Sequence, residues 1–191
     1  AWLLFVYWSA SDFCRLTLYP ETLLKMLTVY IKFKIMKKIL IILAVVAILI
    51  QFFQIDKTNP AVNKGMDFLT IKKTQQPTAT LIRNACYDCH SNETKYPAYS
   101  NIQPFGWFLK NHIEDGRKHL NFSTFATYEP KRQAHKLEEA AEEIEKGGMP
   151  LESYLLIHNE AKLSDQQRKD LVLYFKTMEA ETRTAYNLPA E

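Results

Sequence analysis

The motif Cys86-Tyr87-Asp88-Cys89-His90 carries the clearest chemistry in this sequence. Its two thiols stand three positions apart on one helical turn, so each can add to a vinyl group of a porphyrin. The adjacent imidazole of His90 then lies beneath the ring, where a ring nitrogen can bind the iron. The motif therefore predicts one covalently attached c-type haem, with Cys86 and Cys89 as attachment points and His90 as the proximal iron ligand.

Three other interpretations of the motif are weaker. A zinc site needs two more soft ligands, and the only other cysteine, Cys14, lies far upstream in a strongly apolar stretch. A thioredoxin-like Cys-x-x-Cys opens a helix after a strand in a βαβ pattern, and no such pattern surrounds this motif. A structural disulfide between Cys86 and Cys89 would leave the adjacent His90 unexplained. The haem interpretation accounts for all three side chains.

A haem iron with one histidine has an open axial position, and Met149 is the predicted ligand for it. Its thioether is a soft ligand, Pro150 stiffens the loop, and Gly147 and Gly148 allow the backbone to approach the ring. Two alternatives stay open. Met149 can instead fill a gap in the core after a helix end. His112, on the apolar face of its helix, can supply a second imidazole.

Two further groups of residues are candidates for contact with a porphyrin. Aromatic side chains can form its apolar walls, although aromatic residues at helical spacing usually belong to a core; they are Tyr99, Phe105, Trp107 and Phe108. Basic side chains can neutralise its propionates, with a solvated basic face as the alternative; they are Lys110, Arg117 and Lys118. The remaining histidines are expected to be structural or solvated; they are His119, His135 and His158.

Helical periodicity dominates the sequence around these residues. Apolar spacing and end signals predict helices from Pro77 to Cys86, from Phe105 to about Leu120, from Pro130 to Gly147 and from Ser164 onward. Ser164 and Gln167 have the spacing of a capping box. The only short run that resembles a strand is Tyr154 to Ile157. The sequence therefore predicts an all-α fold, with a small cytochrome c-like helical domain around one haem, preceded by an N-terminal membrane helix.

The same spacing predicts which helix faces are buried. The helix from Phe105 places on one side Phe105, Phe108, Leu109, His112 and Ile113. The helix from Pro130 buries Ala134, Leu137, Ala141 and Ile144. The last helix buries Leu171, Val172, Phe175 and Met178.

Apolar residues are concentrated at the start of the chain, which has 191 residues, a net charge of +3 and 47% apolar residues. Met36-Lys37-Lys38 precedes an unbroken apolar run from Ile39 to Ile50. No small-residue cleavage site follows, so residues 36–55 are predicted to be an uncleaved membrane anchor, with a cleaved signal peptide as the alternative. Residues 1–35, Cys14 included, are predicted to be an upstream extension without a working role. Residues 56–76 are predicted to be a linker and residues 77–191 the haem-binding domain.

Charge around the apolar run predicts the topology. Four lysines precede the run, and positive residues beside a membrane span stay in the cytoplasm; they are Lys32, Lys34, Lys37 and Lys38. The soluble domain is therefore predicted to face the periplasm from a single-pass anchor in the inner membrane. This agrees with the haem prediction, because thioether attachment takes place on that outer side. No basic stripe interleaved with aromatic residues indicates nucleic-acid binding.

From about Leu81 to Tyr174, the chain resembles the haem-binding domain family of bacterial cytochrome c-like proteins. The resemblance rests on ordered blocks around the haem motif: residues 85–94, 99–102, 119–123, 131–136, 149–150 and 153–158. It implies covalent haem through Cys86 and Cys89, with His90 as proximal ligand. Similarity to cytochromes c in general implies that Met149 is the distal ligand. Members typically have an N-terminal membrane segment and one c-type haem.

The function expected from these features is single-electron transfer without enzymatic activity, with a redox partner that the sequence does not identify. With His90 and Met149 both on the iron, substrates are excluded and methionine raises the reduction potential. A haem-based redox or gas sensor is the alternative, in which Met149 is absent from the iron or leaves it readily. A small haem peroxidase has little support, because His112 is the only candidate for a distal acid–base group.

Overall fold

The structure is a computed structural model that describes residues 20–189. Within that range every regular element is helical, which confirms the predicted all-α fold. The chain divides after Phe53 into two compact units. The α-helices in the described range are α1 (Pro20–Leu49), α2 (Phe68–Ile71), α3 (Thr78–Ala85), α4 (Tyr87–His90), α5 (Phe105–His119), α6 (Pro130–Lys146), α7 (Glu152–Leu155) and α8 (Asp165–Ala185).

The first unit consists, in its described part, of α1 and a 3₁₀ turn over Ile50–Phe52. The stretch Leu23–Phe52 is the one helical segment of the described chain that is long and apolar enough to cross a membrane. Its apolar side chains are exposed all round, as in a helix that has lipid rather than protein neighbours. The predicted apolar helix is therefore present, but it begins at Pro20, inside the predicted extension, rather than at Met36. Cys14 and most of the predicted extension lie outside the described residues.

The framework of the second unit is the pair α6 and α8, which pack along each other. Pro130 occupies the first turn of α6, and Gly147 ends the helix with a left-handed φ of 79°. The predicted stripe of α6 is buried: Ala134, Leu137, Ala141 and Ile144. Ser164 and Gln167 form the predicted capping box at the start of α8. Both helices are confirmed.

The core beside this pair is an aromatic cluster centred on Phe68. Its ring centroid lies 5.0 Å from that of Phe125, 5.2 Å from that of Phe122 and 5.9 Å from that of Phe175. Phe68 belongs to α2, which Asp67 caps by accepting a hydrogen bond from the Leu69 amide at 3.1 Å. The predicted linker over residues 56–76 is therefore wrong for this segment, which is a buried part of the core. The apolar run Phe68, Leu69 and Ile71 is too short to show a helical period.

Helix α5 has the predicted position but a different buried face. Its buried residues are Gly106, Leu109 and Ile113. Phe105 and Phe108 are 60% and 55% exposed, so their predicted burial is wrong. A Cβ atom at Gly106 would lie 2.5 Å from the carbonyl oxygen of Ser100, so the two backbones touch. This close contact favours a packing in which Phe105 and Phe108 turn outward.

The chain after α6 carries the one run that resembled a strand. Residues Glu152–Leu155 form the single helical turn α7 instead, and none of the four is buried. A short apolar run fits either structure, and here tertiary contacts decide. We call Met149–His158 the methionine segment.

Candidate functional site

The four predicted site residues line one cavity in the second unit. Cys86, Cys89, His90 and Met149 all contribute to its wall. Its volume is about 610 Å³, within the range of roughly 300–1,000 Å³ that is typical of cofactor pockets. Elements α4, α5, α6 and the methionine segment build most of the wall. Its apolar part includes, besides Met149, the residues Ala85, Leu120, Phe122, Ala140, Ile144, Pro150, Leu151 and Phe175.

His90 is held in the form that binds a metal. Its Nδ1 lies 3.0 Å from the carbonyl oxygen of Leu120. Because a carbonyl only accepts, the proton is on Nδ1 and the lone pair is on Nε2. Burial lowers the pKa of His90 below its ordinary value, which favours the neutral ring. A neutral imidazole with its other nitrogen tied to a carbonyl is the usual arrangement of a metal-binding histidine.

The two thiols of the motif are neutral and unpaired with each other. Burial raises the pKa of Cys86 to about 12 and that of Cys89 to about 11, and neither forms a disulfide. Thioredoxin-like sites lower a cysteine pKa, and zinc sites bind thiolates. Within residues 20–189, no cluster of three or more His, Cys, Asp or Glu side chains could hold a metal ion. The described structure thus gives no support to the zinc, thioredoxin and disulfide interpretations.

The core fixes the motif through Tyr87, which lies between the cysteines. The Tyr87 hydroxyl donates to the Asp67 carboxylate, 3.1 and 3.0 Å from its two oxygens. The ring stacks on Phe122 with centroids 5.4 Å apart. Burial, followed by the charge of Asp67, raises the pKa of Tyr87, so its hydroxyl stays a donor. Helix α4 is therefore anchored to the segment that the sequence indicated as a linker.

The backbone of Met149 is held by α6 and α8. After the left-handed turn at Gly147, the Met149 amide donates to the Glu143 carbonyl at 3.1 Å. The Arg168 guanidinium in α8 donates to the Met149 carbonyl at 3.2 Å and to the Ile144 carbonyl at 2.7 Å. These contacts place the half-buried Met149 at the cavity wall.

His112 lines the same cavity as Met149. Its Nδ1 donates to the Phe108 carbonyl at 2.8 Å, so in the neutral ring the lone pair lies on Nε2. The structure thus brings both candidates for the second axial position to one cavity. His119 is also at the cavity wall, although it is exposed. It lies two turns after His112 on the same face of α5.

The basic residue at the cavity is one that the sequence analysis missed. The predicted candidates do not line the cavity and have other partners: Lys110 donates to the Asp56 carbonyl at 3.0 Å, Arg117 to the Ser91 carbonyl at 2.8 Å, and Lys118 pairs with the cavity-wall residue Asp115 at 3.1 Å. Lys136 lines the cavity, with a side chain that is only 14% exposed and lies 2.6 Å from Glu139. The sequence does not reveal this position, because Lys136 lies in a charged run and only the tertiary fold places it at the cavity.

The aromatic wall also differs from the expectation. Its members are Phe122, Tyr154 and Phe175, rather than Tyr99, Phe105, Trp107 and Phe108. Phe175 was predicted to be buried on α8. No periodic pattern in the sequence indicates that Tyr154 lines the cavity, because it reaches the wall through the irregular path of the methionine segment. Asp88, inside the motif, also lines the cavity and is the hydrogen-bond partner of Tyr154.

These residues fit a haem. A cavity of cofactor size with apolar walls, two thiols and an imidazole whose Nδ1 is occupied supplies what covalent attachment and iron binding require. Cys86 and Cys89 would hold the porphyrin and His90 its iron, with Met149 and His112 as the available second ligands.

Comparison with known proteins agrees with this chemistry. A family model described as a haem-binding domain matches residues 45–177. No curated protein and no solved structure matches the chain. The matched segment covers more than half of the chain and contains the whole motif, the cavity-lining part of α5 and α6, and Met149. The chain therefore belongs to the haem-binding domain family.

Proposed function

We propose that this protein is a membrane-anchored c-type haem protein that transfers single electrons on the periplasmic side of the inner membrane. The observation that carries the proposal is the hydrogen bond from His90 to the Leu120 carbonyl, inside a cavity that also exposes Cys86 and Cys89. This arrangement supports one haem, attached by two thioethers and bound at its iron by His90.

In this proposal each residue of the site has a separate role in holding the haem. Cys86 and Cys89 tether the porphyrin, and the Leu120 carbonyl keeps the His90 ring oriented and its Nε2 free to bind. Met149 would be the second ligand of the iron, which would exclude substrates and raise the reduction potential. When bound, the haem supplies reversible one-electron exchange. The apolar wall limits access of water, and the electrons pass to and from partner proteins.

The membrane part of the proposal rests on α1. The stretch Leu23–Phe52 has the length and composition of a span, and its lysines lie before the most apolar part. The positive-inside rule then supports an orientation with the haem-binding unit outside the cytoplasm. Reporter fusions after Gln54 test this: a reporter that is active only in the periplasm should be active, and one active only in the cytoplasm should be silent. The reverse pattern would refute the orientation.

The experiment that tests the haem function uses the full chain made in a host that assembles cytochromes c. We expect haem that stays on the denatured polypeptide, a six-coordinate low-spin visible spectrum in both oxidation states, and no reaction of the reduced protein with carbon monoxide. The matched control is the Cys86→Ser, Cys89→Ser double variant, which should lose its haem on denaturation. A wild-type chain without covalent haem would overturn the proposal. Ready binding of carbon monoxide would instead favour a gas or redox sensor.

A further inference from the structure

Beyond the buried Pro150, the methionine segment has little packing of its own to fix it. None of the residues in α7 is buried, and Leu156 and Ile157 just beyond it are 81% and 62% exposed. The backbone contacts described above fix only its first residue, Met149. A segment that must keep a ligand at an iron therefore needs another attachment farther along.

That attachment is a hydrogen bond to the haem-binding motif itself. The Tyr154 hydroxyl donates to the Asp88 carboxylate at 2.7 Å. Asp88 is one of the two residues between Cys86 and Cys89, and both Asp88 and Tyr154 line the cavity. The bond thus joins the part of the chain that carries the proposed distal ligand to the part that carries the haem.

Both partners of this bond are held in place. The second Asp88 oxygen accepts from the Lys95 amide at 3.0 Å, and the Asp88 carbonyl accepts from the Thr94 hydroxyl at 2.6 Å. The Tyr154 ring stacks on the His158 ring, with centroids 4.0 Å apart and planes at 9°.

His158 is held in turn on both of its ring nitrogens. Its Nδ1 donates to Glu160 at 3.0 Å, and its Nε2 accepts from the Tyr99 hydroxyl at 3.1 Å.

Burial and then Asp88 raise the pKa of Tyr154, so its hydroxyl remains a donor across the physiological range. The Tyr154 hydroxyl is therefore presented to Asp88 in a fixed direction.

We propose that the hydrogen bond between Tyr154 and Asp88 is the clasp that keeps Met149 at the haem iron, so that Tyr154 is a positioning residue for the distal ligand. This rests on the proposed function, in which Met149 is that ligand. With the clasp broken, the methionine segment opens more often and the axial position becomes accessible. The clasp thereby decides whether the protein acts as a closed electron carrier or binds an external ligand.

The test uses the full-length haem-loaded protein and its Tyr154→Phe variant. We expect the variant to retain covalent haem and His90 ligation, to lose much of the charge-transfer band of the methionine–iron(III) bond, and to bind carbon monoxide at least about tenfold more tightly than wild type. Its reduction potential should fall. Tyr174→Phe is the matched control, because it removes another tyrosine hydroxyl bond, to Thr74, outside the cavity wall. It should leave the band, the potential and the carbon monoxide affinity unchanged.

Asp88→Ala gives an independent variant on the other side of the bond. It should reproduce the effect of Tyr154→Phe, and the double variant should bind carbon monoxide no more tightly than the stronger single one, because both changes break one interaction. If both single variants keep the methionine band and the wild-type affinity, the clasp is refuted while the proposed function stands. If wild type itself shows covalent haem but no methionine band, the distal assignment fails, and the clasp with it.

Discussion

Gly116 of α5 lies directly against the backbone of Cys89. A Cβ atom at Gly116 would be 2.8 Å from the Cys89 carbonyl oxygen, 3.2 Å from the carbonyl carbon and 3.3 Å from Cβ. The proposed haem-binding turn therefore packs on α5 through a contact that has no room for a methyl group. Four residues later, the Leu120 carbonyl accepts from His90. One stretch of backbone thus sets both the position of α4 and the orientation of its imidazole.

Gly116→Ala is expected to destabilise the haem-loaded protein. Alanine favours a helix over glycine by about 0.5–1 kcal/mol. The clash is with backbone atoms that cannot rotate away, and such overpacking costs about 1–3 kcal/mol, so the clash should win. Denaturant unfolding measures the loss, and the visible spectrum should shift because the His90 contact moves. Asn111→Ala, at an exposed position of the same helix, is the control and should not weaken the protein. A fully wild-type stability and spectrum for Gly116→Ala would contradict this packing.

Met149→Ala is expected to leave one axial position of the haem iron without a protein ligand. Without the thioether, the spectrum should become high spin, carbon monoxide should bind, and the potential should fall by roughly 0.1 V or more, since axial ligands set haem potentials over a range of about 0.8 V. Visible spectroscopy and redox titration check this. Met178→Ala removes a buried methionine of α8 away from the cavity, so it should lower stability and leave the ligation intact.

His112 is the rival ligand, and the same measurements decide between the two. His112→Ala should preserve the low-spin spectrum and the potential if Met149 is bound. Unchanged spectra in Met149→Ala together with altered spectra in His112→Ala would reverse the assignment.

Arg168→Gln is expected to destabilise the protein and loosen Met149. The guanidinium donates to the carbonyl of Ile144, in the last turn of α6, and to that of Met149, just beyond the helix. Losing hydrogen bonds from a charged donor costs roughly 1.5–3 kcal/mol. Arg132→Gln is the control, since Arg132 is exposed and stacks only over Tyr128, at 4.6 Å, so it should cost less than about 1 kcal/mol. Equal losses in the two variants would show that the Arg168 contacts contribute nothing specific.

Local signals were enough to predict the two long helices of the haem-binding unit. In α6, Pro130 at the start, Gly147 at the end and the stripe between them all appear in the sequence, and the structure has them in the same roles. The candidate side chains Cys86, Cys89 and His90 were identified from spacing alone, because covalent attachment of a haem would require them close together on one turn, and the structure places all three at one cavity. Met149 was predicted from its local loop chemistry, and the structure places it at the same cavity.

What the sequence could not predict depends on tertiary contacts. Phe68 lies in an apolar run too short to show a helical period, yet it is the centre of the aromatic core. Phe105 fits an apolar stripe, but the contact at Gly106 favours a different face of α5. Tyr154 and Asp88 are far apart in the chain, and only the path of the methionine segment joins them. Such long-range polar pairs leave no local pattern.

At low pH the protein is expected to lose the contribution that the ionised Glu93 carboxylate makes to its free energy of unfolding. Burial alone would raise the pKa of Glu93, but the hydrogen bond and charge of Lys64, followed by those of Arg83 at 3.3 Å, outweigh it and hold the pKa below its ordinary value of 4.5. The folded state therefore binds fewer protons than the unfolded state as the pH approaches this value. The contribution is fully present above about pH 5 and is lost as the pH falls through the folded pKa.

The comparison of wild type with Glu93→Gln isolates this contribution. The free energy of unfolding of both proteins, measured from neutral to acidic pH, should differ most at neutral pH, and the difference should shrink as the pH falls below the ordinary Glu93 pKa of 4.5. Other carboxylates contribute equally to both curves and cancel in the difference. Because Glu93 and its partners are partly exposed, added salt should reduce the difference at neutral pH. A difference that stays constant over the whole pH range would mean that the two cations do not stabilise the charge of Glu93.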